Sequence, residues 1–243
     1  MGGIYSREMI SRRCVLVLPA AARLAADDDG VPLFDGSSPA GWVSVTGEPF
    51  PPRSWTIVGG CLKANAHASG GFQDIRTVAE FESFDLTFEW KLEPGGNSGV
   101  KYSLQRADSW KPKDDPGGAT GPHARARGLE FQLADGQTPD ARRGAQYSAG
   151  ALYGLYAPRT TAPVRPGKFN TARILFTAAR LAHWINGELL VEADPGSAEF
   201  AARIKASKDE RLLTRPRRSP VALQNHGSEA WFRNLRIRRV MEV

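Results

Sequence analysis

A chain of 243 residues with 41% hydrophobic and 24% charged side chains has the length of a single β-sandwich core and the composition of a folded protein, which excludes a disordered or fibrous chain. No apolar run approaches the roughly 18 residues that a membrane-spanning helix needs. The formal charge of +6 falls to +3 once residues 1–26 are set aside, because they hold Arg7, Arg12, Arg13 and Arg23 against Glu8. The remaining arginine clusters, at 211–218 and 233–239, fit solvated strand faces, and nucleic-acid binding is not expected.

In chain order, residues 1–26 read as a leader. Arg12-Arg13 follows Ser11 and precedes an apolar stretch at 14–22, and Leu24-Ala25-Ala26 stands before the acidic run Asp27-Asp28-Asp29. That order resembles a twin-arginine export signal and predicts an exported protein, periplasmic or secreted, whose single domain spans residues 27–243. A short buried helix that begins with two arginines is the alternative. Cys14 lies in this leader, so Cys61 is alone in the processed chain. Neither an internal disulfide nor a cysteine zinc site can then form, and any metal must be held by oxygen and imidazole ligands.

Beyond residue 30 the pattern is alternation at period two, broken by Gly, Pro, Asn and Asp. The clearest case is 84–92, where Phe84, Leu86, Phe88, Trp90 and Leu92 share one face and Asp85, Thr87, Glu89 and Lys91 the other. Pro94-Gly95-Gly96-Asn97 then turns the chain into a strand at 98–104. Further strands are predicted at 54–64, 72–77, 128–133, 151–156, 171–177, 180–185, 188–192, 220–224 and 230–240. Asn186-Gly187 supplies the two positive φ angles of a type I′ turn and predicts a tight hairpin. Only 197–207 carries a helical rhythm, with Phe200, Ala201 and Ile204 on one side. The stretch 108–127, rich in Pro, Gly, Lys and Asp, predicts a long loop. About ten strands with one short helix predict an all-β domain of two packed antiparallel sheets.

Two places carry polar groups in patterns suited to chemistry. Leu223-Gln-Asn-His-Gly227 ends an apolar strand in three polar side chains, which places Gln224 and His226 near a sheet rim. In Gly128-Leu-Glu-Phe-Gln-Leu133, Glu130 and Gln132 share one face at about 7 Å, a spacing set by the strand rise. An outer face would make them ordinary solvated surface, whereas a concave face would aim a carboxylate and an amide at a ligand. The sequence leaves that choice open.

A series of blocks in order then points to a family: Leu33-Phe-Asp-Gly36 with Gly41-Trp42, Gly96-Asn-Ser-Gly-Val-Lys-Tyr102, Gly128-Leu-Glu-Phe-Gln132, Asp135 with Pro139-Asp140-Ala141, and Gly150-Ala-Leu-Tyr153. Asn170-Thr-Ala-Arg173, His183-Trp-Ile-Asn-Gly187, Val221-Ala-Leu-Gln-Asn-His-Gly227 and Trp231-Phe-Arg-Asn-Leu-Arg-Ile237 continue it. The chain resembles the 3-keto-disaccharide hydrolase domain family, which implies a concanavalin A-like jelly-roll sandwich. The implied activity is cleavage of glycosides oxidised at C3, by removal of the C2 proton and elimination at C1, with or without addition of water. Glu130, Gln132, Gln224 and His226 lie in the matching motifs. Glu130 is expected as base or metal ligand and His226 as acid or metal ligand, with Gln132 beside them in the catalytic set.

The resemblance also implies a carbohydrate partner, no organic cofactor, and a divalent cation held by Glu130 and His226 as a Lewis acid. Lys101 and Arg233 are expected to stabilise the enediolate by charge, and Trp184 and Tyr153 to stack on sugar, each with an ordinary strand or core role as the alternative. Asn225 stands where relatives carry an aspartate, which removes one anionic ligand from that cation. A non-catalytic carbohydrate-binding module and an accessory surface domain are the competing readings, since fold alone does not give function.

Overall fold

A computed structural model describes residues 30–66, 71–110, 123–136, 138–207 and 209–241. The leader expected at residues 1–26 lies outside them, as does His67. The strands are β1 (Val31–Pro32), β2 (Trp42–Ser44), β3 (Trp55–Val58), β4 (Cys61–Ala64), β5 (Ile75–Thr77), β6 (Phe84–Leu92) and β7 (Asn97–Trp110). β8 (His123–Ala134), β9 (Asn170–Phe176), β10 (Leu181–Ile185), β11 (Glu188–Ala193), β12 (Ala222–Leu223) and β13 (Ala230–Arg239) follow, with one α-helix, α1 (Ala198–Ala206), between β11 and β12.

The strands form two antiparallel sheets, in accord with the jelly-roll sandwich that the sequence predicts. The larger, of eight strands, runs β11-β10-β9-β6-β13-β4-β3, with β1 paired to β13; the smaller, of five, runs β2-β5-β12-β7-β8. The core lies between them, where the alternating aromatics of β6 meet the inward side chains of the facing sheet: Phe88 packs on Phe131 at 6.0 Å and Phe84 on Tyr102 at 5.9 Å. Within this apolar layer His183 is fully buried, one ring nitrogen 2.7 Å from the Tyr102 hydroxyl and the other 3.2 Å from the Gly150 carbonyl. Burial pushes its pKa down to about 3, so the ring is neutral.

The hairpin at Asn186-Gly187 has φ angles of 50° and 86° and pairs Ile185 with Glu188, as a type I′ turn requires. Ser197 caps α1 by accepting the Phe200 N–H, and Phe200 and Ile204 bury its apolar side. Outside the core, the arginine-rich faces are paired. Asp85 takes Arg173 through two 2.7 Å bonds and Arg238 through one of 3.0 Å, tying β9 and β13 to β6. No helix among the described residues is long and apolar enough to cross a membrane.

Three sequence expectations are corrected. Residues 54–64 are not one strand but the β3–β4 hairpin, turned at Gly59 and Gly60 with φ of 57° and 73°. Of the loop predicted at 108–127, residues 111–122 lie outside the described residues, and its two ends are ladder rather than loop, with pairs from Arg106↔Arg127 to Trp110↔His123. A two-stranded arm satisfies its backbone without an apolar face, and here Asp108 further ties Arg106 to Arg127. Finally, 151–156 is a turn rather than a strand, because Gly150 and Gly154 take φ of 82° and 71° and Leu152 bridges back to Tyr156.

Candidate functional site

On β8, Leu129, Phe131 and Leu133 fill the core, so the period-two rule turns Glu130 and Gln132 to the opposite face of the smaller sheet. On β7, Val100 and Tyr102 point inward, which places Gly99 and Lys101 on that same outer face. Register then sets the neighbours. Lys101 pairs with Glu130 and Gly99 with Gln132, while the Gln224 N–H donates to the Gly99 carbonyl from the other side at 2.9 Å. A cleft of about 770 Å³ opens over these rows, lined by Glu130, Gln132, Lys101, Gln224, His226 and Tyr153. Arg203, Ala206 and Ser207, from the C-terminal end of α1 and just beyond, form part of its wall.

Gly99 leaves room for the carboxylate. A Cβ there would stand 3.0 Å from both Cγ and Cδ of Glu130 and closer still to Oε1, so the Glu130 side chain lies across the bare backbone of β7. Lys101 is buried, its Nζ 3.0 Å from Asp74 Oδ2, 3.2 Å from the Ala126 carbonyl and 3.9 Å from Glu130 Oε2. Asp74, itself fully buried, also accepts the Ala126 and Asn225 N–H groups at 3.0 Å each, which joins three segments beneath the cleft. Burial pushes the Glu130 carboxyl pKa up, and the Lys101 ammonium partly offsets that. Burial likewise pushes His226 down, helped by the Arg125 guanidinium. Both shifts disfavour the charged form, so the cleft perturbs a carboxyl and an imidazole together, as sites of acid–base chemistry often do.

His226 owes its position to its neighbour. Asn225 donates to the Ser54 and Asn65 carbonyls at 2.9 and 3.3 Å and accepts the Gly227 N–H at 2.9 Å, pinning the turn on both sides of the histidine. Tyr153 lines the cleft, its ring packed on Tyr147 at 5.0 Å. Its hydroxyl donates to Asp140 Oδ2 at 3.1 Å, and burial together with that carboxylate pushes its pKa up to about 12. Asp140 also receives Arg143 at 3.0 Å and Asn97 Nδ2 at 3.3 Å; partial burial opposes ionisation, but these hydrogen bonds hold the carboxyl below its usual range.

Two predicted residues lie elsewhere. Arg233 and Trp184 sit on the outer face of the larger sheet, because their neighbours Phe232 and Ile185 occupy the core. Arg233 pairs with Glu89 at 2.7 Å and packs over Phe169 at 3.8 Å, and Arg173 covers Trp184 at 4.7 Å. Neither lines the cleft over Glu130. Sequence reasoning passed over Asp74, Asn97, Gly99 and Asp140 as site residues. Asn97 and Gly99 lie in the Gly96–Tyr102 motif and Asp140 in Pro139-Asp140-Ala141, a signal that could find them, whereas Asp74 carries no such signal.

As a metal site the residues fit poorly. Among the described residues no three His, Cys, Asp or Glu side chains group closely enough to hold an ion. Asn225 is spent on backbone contacts, and the Glu130 carboxylate has the Lys101 ammonium beside it.

A family described as the 3-keto-alpha-glucoside-1,2-lyase-like domain has a model that matches residues 29–238. The chain belongs to this family. The 3-keto-alpha-glucoside-1,2-lyase-like domain therefore takes in both sheets and every cleft residue named above. A protein of Bacteroides thetaiotaomicron named 3-keto-disaccharide hydrolase is 29% identical over 239 residues, covering 89% of this chain and 80% of that protein. A crystal structure from Parabacteroides distasonis, assigned provisionally as a glycosyl hydrolase, is 25% identical with a TM-score of 0.70, covering 86% of this chain and 93% of that one. A second from the same organism, 23% identical with a TM-score of 0.56 and covering 82% and 99%, shares the fold.

Proposed function

We propose that this protein cleaves glycosides whose sugar carries a ketone at C3, by taking the proton from C2 and expelling the C1 substituent. The observation that carries this reading is that Glu130 and His226, from separate segments of the chain, line one cleft with Lys101 at 3.9 Å from the carboxylate. Family membership and the Bacteroides relative's name support the same substrate class. A C3 ketone acidifies the C2–H bond, so an ionised carboxylate suffices as base. Glu130 is that base, and Lys101 holds it ionised against its burial. As the C2–H bond breaks, its proton passes to Glu130, C1=C2 forms and the C1–O bond opens. His226, its neutral ring hydrogen-bonded to the departing oxygen, gives that oxygen its N–H proton as its other ring nitrogen takes up the proton released by Glu130, which restores both side chains. Water returned across C1=C2 completes hydrolysis, and elimination alone gives a lyase.

The test is to incubate purified protein with a 3-keto-disaccharide in D2O, with and without chelator, and follow released sugar and deuterium at C2 by NMR. Release at an unchanged rate in chelator, lost in Glu130→Gln, is expected. Binding of the saccharide without release or C2 exchange would refute catalysis and leave a binding module.

A further inference from the structure

Two buried acceptors at the cleft have no partner among the described residues. Gln132 is 1% exposed and Gln224 4%, both line the cleft, and neither Oε1 atom meets a donor. They stand in one row: Gln132 is opposite Gly99 on one side, and Gln224 bonds Gly99 on the other. Two strand spacings, about 9–10 Å between their backbones, therefore separate them, with only a glycine between.

The polarity of Gln132 is imposed from outside the row. Asp140, an ionised carboxylate, can only accept, so Asn97 must turn Nδ2 toward it, at 3.3 Å. That leaves Asn97 Oδ1 to take Gln132 Nε2 at 3.0 Å. Gln132 has then committed its amide nitrogen, and its oxygen is left as a buried acceptor without a donor among the described residues, at the floor of the cleft that the residue lines. With the Glu130 carboxylate lying over Gly99 between the two amides, the floor of the cleft offers acceptors in a line and demands donors from whatever occupies it.

From this geometry we infer that Gln132 and Gln224 are specificity-determining residues that select a saccharide by two separate hydroxyl donors, and that Asp140, acting through Asn97, is the positioning residue that gives Gln132 its acceptor polarity. The inference rests on the proposed function for the class of ligand, but not on turnover. A buried acceptor left unpaired by a ligand lacking the hydroxyl is penalised about 10- to 100-fold in affinity.

The test uses a ligand that cannot be cleaved: the 3-ketone of 1,5-anhydroglucitol, which has no leaving group at C1, and its 2-, 4- and 6-deoxy derivatives, titrated calorimetrically into the full chain in the presence of chelator. In the wild-type protein two of the three deoxygenations should each weaken binding about 10- to 100-fold. Gln132→Met should erase one of those penalties and Gln224→Met the other, and Asp140→Asn should reduce the Gln132 penalty alone. Thermal melts confirm that each variant is folded, and Asp140→Asn, which leaves both glutamines in place, keeps the idea testable if Gln132→Met is not. Deoxy penalties that persist unchanged in the folded variants, a wild-type protein that binds none of the panel, or binding that collapses on adding chelator would each overturn it. Absence of cleavage with the couplings intact would instead refute only the catalytic reading.

Discussion

Replacing Gly99 by alanine tests the geometry of the base without touching a polar group. The backbone at Gly99 is one that alanine adopts freely, but the new methyl would sit 3.0 Å from Glu130 Cγ and Cδ, tighter than ordinary van der Waals contact. The obstacle is the flexible end of a side chain, so the chain has an escape: Glu130 swings aside. Crowding of this kind costs about 1–3 kcal/mol, and replacing glycine within a strand returns about 0.5–1 kcal/mol. The net effect on stability is therefore modest, about 0–2.5 kcal/mol, or a few degrees in Tm. Displacing the carboxylate by about 1 Å, by contrast, lowers turnover on the order of 100-fold. The assay pairs a thermal melt with initial rates on a 3-keto-disaccharide. Shortening the base in Gly99→Ala/Glu130→Asp should recover part of the rate lost in Gly99→Ala. Full activity in a folded Gly99→Ala protein would show that the position of Glu130 does not matter and would remove it as the base.

Three further outcomes follow from the same coordinates. Lys101→Met leaves Asp74 buried without its countercharge, though still holding two backbone N–H groups, and should cost about 3–5 kcal/mol, read as a fall of roughly 10 °C in Tm. His183, depressed from 6.5 to about 3, favours the folded state fully above pH 6.5; as pH falls toward 3 the unfolded chain gains the proton first and stability drops by about 1.4 kcal/mol per pH unit, so denaturant midpoints measured across that window should decline in wild type and stay flatter in His183→Gln. Because the Glu130 carboxyl is shifted upward and must be ionised to act, the acid limb of kcat/KM should lie above the ordinary glutamate range, and any residual activity of Glu130→Gln should lack that limb.

The parts of the fold that could be read from sequence are those whose signal is local. The alternation in β6, the Asn186-Gly187 turn and the helical rhythm at 197–207 each depend on a few adjacent residues, and the structure carries all three. Expectation went astray where composition stood in for pairing. The residues flanking 111–122 looked too polar to be extended, yet the arm of β7 and β8 needs only its backbone ladder and the Asp108 ion pairs. The apolar residues at 151–156 looked extended, yet two glycines in the left-handed region turn that segment on itself.

For the site, alternation shows that Glu130 and Gln132 share a face but is symmetric between inside and outside, and the same symmetry hid the placement of Arg233 and Trp184. What breaks it is the register between strands distant in sequence. Gly99 meets Gln132 across one ladder and Gln224 across another, and neither ladder is written in any single segment. The chemistry of the cleft depends still further on such pairings, since Asp74, about 50 residues before Ala126 and 150 before Asn225, holds Lys101 beneath Glu130, and Asp140 decides through Asn97 which end of the Gln132 amide faces the ligand. A glutamine in a sequence is both donor and acceptor; only the carboxylate two hydrogen bonds away makes it one of them.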